Sequence, residues 1–293
     1  MTAPDTAPDT APDTPSSAAS SAASGAASAA ARQAADKRRS LNMLPYGDRV
    51  MLISTADVWG WLRLGWRDYL RHPGRSTAYG AVFVAIGYGL AFGLKALGML
   101  YLITPMIAGF LLVAPLLALG FYALSRDAEQ GRPPSLWRAL NAWQANSFHV
   151  ITAGLLLMLF MMIWVRIAAL IFALFFPYTS LTWHATLEAL LTPDGLLFLA
   201  VGTGVGGVMA VIGFTFSAFS LPLLLDRKVD AFAAGYLSGL AVLANPGPML
   251  LWAAIITALT VLGLLTGFLG LMVTLPLLGH ATWYAYRRIL RWD

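Results

Sequence analysis

The sequence predicts an all-α membrane protein: six transmembrane helices as three hairpins, each preceded by an amphipathic helix lying in the cytoplasmic interface. Three observations predict it. First, of 293 residues 58% are hydrophobic and only 11% charged, with a mean hydropathy of +0.70. A soluble domain carries about 45–50% apolar and about 25% charged residues, so the deficit of charge leaves lipid as the solvent for much of the surface. Second, apolar stretches of spanning length recur along the chain. Third, nearly all basic residues fall on one side of those stretches.

The chain opens with a tail, residues 1–40. Tandem copies of Ala-Pro-Asp-Thr over residues 3–14 lead into a Ser/Ala-rich run. No basic stretch precedes an apolar one here, so this is not a signal peptide. Large apolar residues are almost lacking, and the composition predicts disorder. A basic amphipathic segment, residues 41–75, follows. Within it Arg63, Arg67 and Arg71 recur every four residues on one helical face, with Trp59, Leu62, Trp66 and Tyr69 on others. This reads as a helix in the membrane interface, with rings at headgroup depth and arginines on lipid phosphates. Leu136, Leu140 and Trp143, opposite Arg138 and Asn141, read the same way, as do Phe232, Tyr236, Leu240 and Leu243. A surface for a protein partner is the rival reading.

The spans follow. Thr77–Leu94 is the first, closed by Lys95, and Leu100–Leu124 the second, containing Pro105 and Pro115. Val150–Phe176 is the third and Leu196–Leu225 the fourth. The last apolar stretch, Met249–Tyr286, would reach roughly 57 Å as one helix against a hydrocarbon core of about 30 Å. It must fold back, and Gly267 to Gly270 is the predicted turn. Six spans place all but two of the 19 Lys and Arg, Lys95 and Arg166, on one side. The positive-inside rule makes that side cytoplasmic, both termini included. An odd number of spans would scatter the same charges over both faces.

A repeat underlies the count. Three times an amphipathic stretch passes through a breaker, Arg71-His72-Pro73-Gly74, Ala145-Asn146-Ser147 or Ala244-Asn245-Pro246-Gly247, into an apolar hairpin. Asn followed by Pro suits a helix N-cap with proline at the first helical position. The return helices carry Pro115, Pro222 and Pro276, each before paired leucines. Such a repeat suits an arrangement about a pseudo-threefold axis.

Few residues carry chemistry. Arg166 is the one charge deep in a span, a contact for a ligand or a lipid headgroup by default, with snorkelling or a helix kink as structural readings. His149 and His280 fall on the same side and are weak candidates for a cofactor, since imidazole is the usual axial ligand of haem. A bond to a backbone carbonyl is their ordinary role. Gly89 and Gly93, Gly202 and Gly206, and Gly263 and Gly267 recur at four-residue spacing and permit close helix contact. The spans hold no carboxylate pair, no metal motif and no Ser-His-Asp arrangement. His184 and Glu188 share the loop after the third span and read as a solvated turn. With no cysteine there is no disulfide or thiolate site.

Four segments resemble a bacterial family of predicted integral membrane proteins: Ala114 to Arg126, Ser220 to Arg227, Ala244 to Met249 and Leu278 to Arg287. The family is catalogued only as a domain of unknown function. The resemblance covers residues 55–290 and implies a bacterial inner-membrane protein with no functional residues to carry over. Some members bear a label linking them to cytochrome oxidase. The expected function is therefore non-enzymatic, lipid-binding or scaffolding, with no metal and no cofactor. The expected partners are anionic headgroups, another protein or a second copy, and not nucleic acid. A small-solute channel or transporter is the alternative, and a haem-containing subunit a remote one.

Overall fold

The computed structural model describes residues 16–97, 116, 118–176 and 192–292. The chain divides into two compact units, residues 1–48 and 49–293. The first holds α1 (Ser16–Asn42), where composition predicted a disordered tail. Alanine has the strongest intrinsic helix preference, which sustains a helix without an apolar face. The Ala-Pro-Asp-Thr copies lie outside the described residues.

The described residues of the second unit are helical apart from turns and one isolated bridge. The order is α2 (Thr55–Arg71), α3 (Pro73–Ala96), α4 (118–129), α5 (Leu136–Leu140), α6 (Ser147–Phe175), α7 (Pro193–Ser217), α8 (Ser220–Asp226), α9 (Ala231–Ala244), α10 (Pro246–Leu265) and α11 (Leu271–Ile289). Four helical stretches are long and apolar enough to cross a membrane: Pro73–Ala96, Ala142–Phe175, Pro193–Asp226 and Pro246–Leu265. They include the first, third, fourth and fifth expected spans. Most of the second expected span lies outside the described residues. The sixth corresponds to α11, a helix more polar than the others.

The reason for that polarity is position. α11 packs against α2, α3 and α10, and buries residues over most of its length. A helix surrounded by protein can carry polar groups that find partners, whereas a lipid-facing helix must be apolar all round. α10 and α11 are separated by residues 266–270, where Gly267 and Phe268 both adopt left-handed backbone, φ 64° and 69°. The chain therefore folds back where Gly267 to Gly270 predicted.

The three breakers share one backbone geometry. His72, Asn146 and Asn245, the N-caps of α3, α6 and α10, have φ of −139°, −152° and −131° and ψ of 56°, 58° and 54°. Each turns the chain from a short helical segment into a long apolar one. The two ends of the second unit also meet: Val50 bridges Leu290, Met51 N–H donates to the Ile289 carbonyl, and Arg291 N–H donates to that of Arg49.

α2 does not simply lie on a surface. Its inner face, Val58, Trp61, Gly65, Asp68 and Tyr69, is buried, and Trp61 meets Trp252 of α10 edge to face at 5.8 Å. Trp59, Arg63, Trp66, Arg67, Leu70 and Arg71 remain exposed. Tyr69, expected among the interfacial rings, belongs instead to the core. A close approach of two helix backbones occurs at Gly65, where an added β-carbon would stand 2.7 Å from the Ala281 backbone nitrogen. Gly89, Gly93 and Gly202, expected at such contacts, have nothing within 4 Å of a β-carbon. Gly65→Ala is expected to lower stability by about 1–3 kcal/mol, as overpacking does in a close-packed core. Thermal unfolding of the detergent-solubilised protein measures it, and an unchanged melting temperature would contradict the contact.

Candidate functional site

The basic residues gather at one end of the second unit, where α2, α4, α8 and the last turns of α11 meet. Many polar groups there are paired. Asp226 accepts from Tyr286 at 2.7 Å and from Arg227 at 3.3 Å, while Arg287 bonds Glu129 at 3.2 Å. Trp283 also donates its indole N–H to Glu129, at 3.0 Å. Asp127 lies between Arg132 at 3.1 Å and Arg138 at 2.9 Å. On the outer turn of α2, Asp57 meets Arg288 at 3.1 Å. Burial pushes the Asp57 carboxyl up, but the Ser54 amide and hydroxyl and the Arg288 guanidinium outweigh it and hold it below the usual carboxylate range.

Behind this layer lies a buried polar chain drawn from four helices. His280 of α11 is 2% exposed. Its Nε2 is 2.9 Å from the Ser76 hydroxyl of α3, and its Nδ1 is 2.7 Å from the Ser125 hydroxyl of α4. Ser125 donates to Asp68 Oδ2 of α2 at 3.2 Å, and Tyr284 donates to the same oxygen at 2.7 Å. The donor directions follow from the carboxylate, which only accepts when ionised. Ser125 spends its proton on Asp68, so it accepts from His280 Nδ1–H. In the neutral ring Nε2 is then the acceptor for Ser76. Both ring nitrogens are thus occupied by hydroxyl groups.

A serine, a histidine and an aspartate are thus brought together, where the spans alone showed no such arrangement. The order differs from that of a nucleophilic triad, because Asp68 orients Ser125 and not the ring. Ser76 is only 2% exposed. The Oδ1 atom of Asp68 is buried and accepts no hydrogen bond. Arg71 Nη1 lies 3.9 Å from it. A cleft opens here, lined by Asp68, His72, Arg75, Ser76, Leu124, Ala128, Pro134 and His280. At about 10 Å³ it has room for roughly one water-sized group.

The other candidates lie apart from this cluster. His149, near the start of α6, is half-buried, its ring edge-on to Phe148 at 5.1 Å. Among the described residues no group of three or more His, Cys, Asp or Glu could hold a metal. Arg166 is exposed on α6 and makes no hydrogen bond or ion pair among the described residues. His184 and Glu188 lie outside them. The structure adds Asp68, Ser76 and Ser125, which the sequence reading had not singled out. One signal existed: Asp68 continues the inward register of Val58, Trp61 and Gly65, an acid on the apolar face of an amphipathic helix.

Residues 103–226 match the model of a family described as predicted integral membrane protein (DUF2189). This chain is an integral membrane protein. The match, together with four lipid-length apolar helices, carries that statement and no activity. No curated protein and no solved structure matches the chain.

Ser125→Ala removes the hydroxyl that links His280 to Asp68 and leaves Asp68 Oδ2 with Tyr284 as its donor. The expected cost is about 1–3 kcal/mol, read as a lower melting temperature in detergent. An unperturbed melting curve would show that the chain does not hold the helices together.

Proposed function

We propose that the protein is a non-enzymatic protein of the bacterial inner membrane that binds anionic lipid headgroups at its basic end. In this reading it spans the bilayer six times as three helical pairs, with both termini in the cytoplasm. The observation that carries the reading is the outer stripe of α2. Trp59, Arg63, Trp66 and Leu70 are exposed at near-helical spacing, with Arg67 and Arg71 beside them, while the opposite face is buried against α11. A helix already anchored in the core has no packing use for two exposed tryptophans. Rings and guanidinium groups at one depth suit a headgroup layer, each Arg near an anionic surface contributing about 1 kcal/mol. Trp137, Leu140 and Trp143, and Phe232, Tyr236 and Leu243, repeat the exposure of large apolar side chains near the other two breakers.

Arg166 fits the same reading from the other side. It precedes Phe175 by nine residues, roughly 14 Å along the helix, so snorkelling and modest tilt bring its guanidinium toward the far headgroups. A charge on an exposed helix also suits contact with a second copy.

Two measurements test this. In lipid extracted with the purified full chain, anionic species are expected to be enriched over the membrane average. The triple change Trp59→Ala, Arg63→Gln, Trp66→Ala should reduce that enrichment several-fold. Enrichment that survives the change would remove the stripe from the site. Orientation is accessible because the chain has no cysteine. Ser16→Cys and Asp293→Cys should resist an impermeant maleimide in intact spheroplasts, and Lys95→Cys should react. Labelling of either terminal position before lysis would overturn the topology.

A further inference from the structure

Two of the three breakers carry an asparagine that ties down the approach to another short helix. Asn245 accepts from the Ile53 amide at 2.9 Å and donates to the Met51 carbonyl at 3.1 Å. Ile53 and Met51 stand one and three residues before Ser54, the N-cap of α2. Asn146 donates to the carbonyls of Val229 at 2.9 Å and Arg227 at 3.4 Å. These stand one and three residues before Asp230, the N-cap of α9. The remaining approach is that to α5, whose N-cap is Ser135. The remaining breaker is His72, with the same backbone geometry as the two asparagines.

At this third corner the side chains differ. His72 stands in place of asparagine. Pro134, one residue before the N-cap, has no N–H to offer. His72 and Pro134 both line the cleft, together with Asp68, Ser76 and His280. The other two corners are closed by a carboxamide of the chain itself, and this one is open.

The chemistry of the opening is specific. Asp68 Oδ2 is satisfied by two hydroxyls, whereas Oδ1, on a side chain only 3% exposed, has no donor. A buried carboxylate oxygen without a donor is costly, so the site calls for one. The space takes a group the size of a hydroxyl. Arg75 lies at the cleft and Arg71 beside Asp68, both exposed to the surroundings. Two cations against one carboxylate favour a ligand with a single negative charge. The first turn of α3, a 24-residue helix, adds its N-terminal dipole.

We propose that this cleft takes a glycerol phosphodiester, in the form of phosphatidylglycerol. Its terminal hydroxyl donates to Asp68 Oδ1, and its phosphate is held by Arg71 and Arg75. The proposal rests on the reading of the basic end as a headgroup surface and names the headgroup. An ethanolamine headgroup is zwitterionic, so it would leave one of the two guanidinium charges without an anion.

Native mass spectrometry of the full chain in detergent tests it, with phosphatidylglycerol, phosphatidic acid and phosphatidylethanolamine offered at equal concentration. Phosphatidylglycerol is expected to be retained about tenfold over phosphatidic acid, which has the phosphate and lacks the terminal hydroxyl that bonds the carboxylate. Asp68→Asn keeps an acceptor for Ser125 and Tyr284 but turns a donor toward the cleft, and should abolish that preference. Should that variant fail to fold, His72→Asn provides the second test. It restores the asparagine found at the other corners and should lower the preference while keeping the fold. Arg75→Gln should weaken both anionic lipids alike. Equal retention of phosphatidylglycerol and phosphatidic acid overturns the proposal, as does an Asp68→Asn protein that still discriminates. Soluble glycerol phosphate competing as well as the lipid would also overturn it, by making the ligand a free metabolite. Loss of discrimination with anionic lipid still enriched refutes this site alone. No preference for anionic over zwitterionic lipid refutes the basic-end reading as well.

Discussion

At Gly65 the backbones of α2 and α11 approach so closely that a β-carbon would lie 2.7 Å from the Ala281 nitrogen, and much of the surrounding arrangement follows from that contact. One turn along α2, Asp68 comes within reach of Tyr284 and Ser125. One turn back, Trp61 meets Trp252. Toward the start of α2, Asp57 meets Arg288 near the end of α11, so the two helices run antiparallel. Because α11 also packs on α3, its register decides that His280 faces Ser76. A polar chain in a low-dielectric interior holds its shape only when every member is satisfied, and these helices are placed so that all but one oxygen is.

The lipid-facing helices were legible in the sequence because their environment allows only one kind of residue. α3, α6, α7 and α10 must be apolar on every side, and a run of apolar residues is what a reader sees. The side chains that α2 exposes were legible as well, since Arg63, Arg67 and Arg71 recur at helical spacing beside Trp59 and Trp66. The division of the remaining aromatic residues was not. α2 has one apolar face toward protein and another toward the surroundings, and periodicity cannot say that Trp61 and Tyr69 belong to the first.

The polar chain was legible only in part. His280 stood out by residue type, but its partners come from sequence separations of 204 and 155 residues. No local pattern announces such a pairing. Asp68 left a local trace, because an acid in register with Val58, Trp61 and Gly65 breaks the apolar face of its helix. The four-residue glycine spacings led to a close helix contact at Gly263, with Leu271 and Thr274 of α11, and misled elsewhere for a related reason. A small residue permits a close approach without requiring one, and Gly89 and Gly93 face open space while Gly65, in no such pair, touches backbone.

The bridge between Val50 and Leu290, with the flanking bonds from Met51 to Ile289 and from Arg291 to Arg49, makes the beginning and end of the second unit hydrogen-bonded neighbours. Arg49 also lies over the Trp292 ring, 4.0 Å from its centre. Where termini meet in this way, the point at which translation begins is immaterial to the packing. A short peptide joining residue 292 to residue 49, with the chain reopened in the exposed turn at 130–132, would give a circular permutant with the same helix contacts. The genetic order of the helices in this unit is then a matter of where the chain was cut, and not of how it folds.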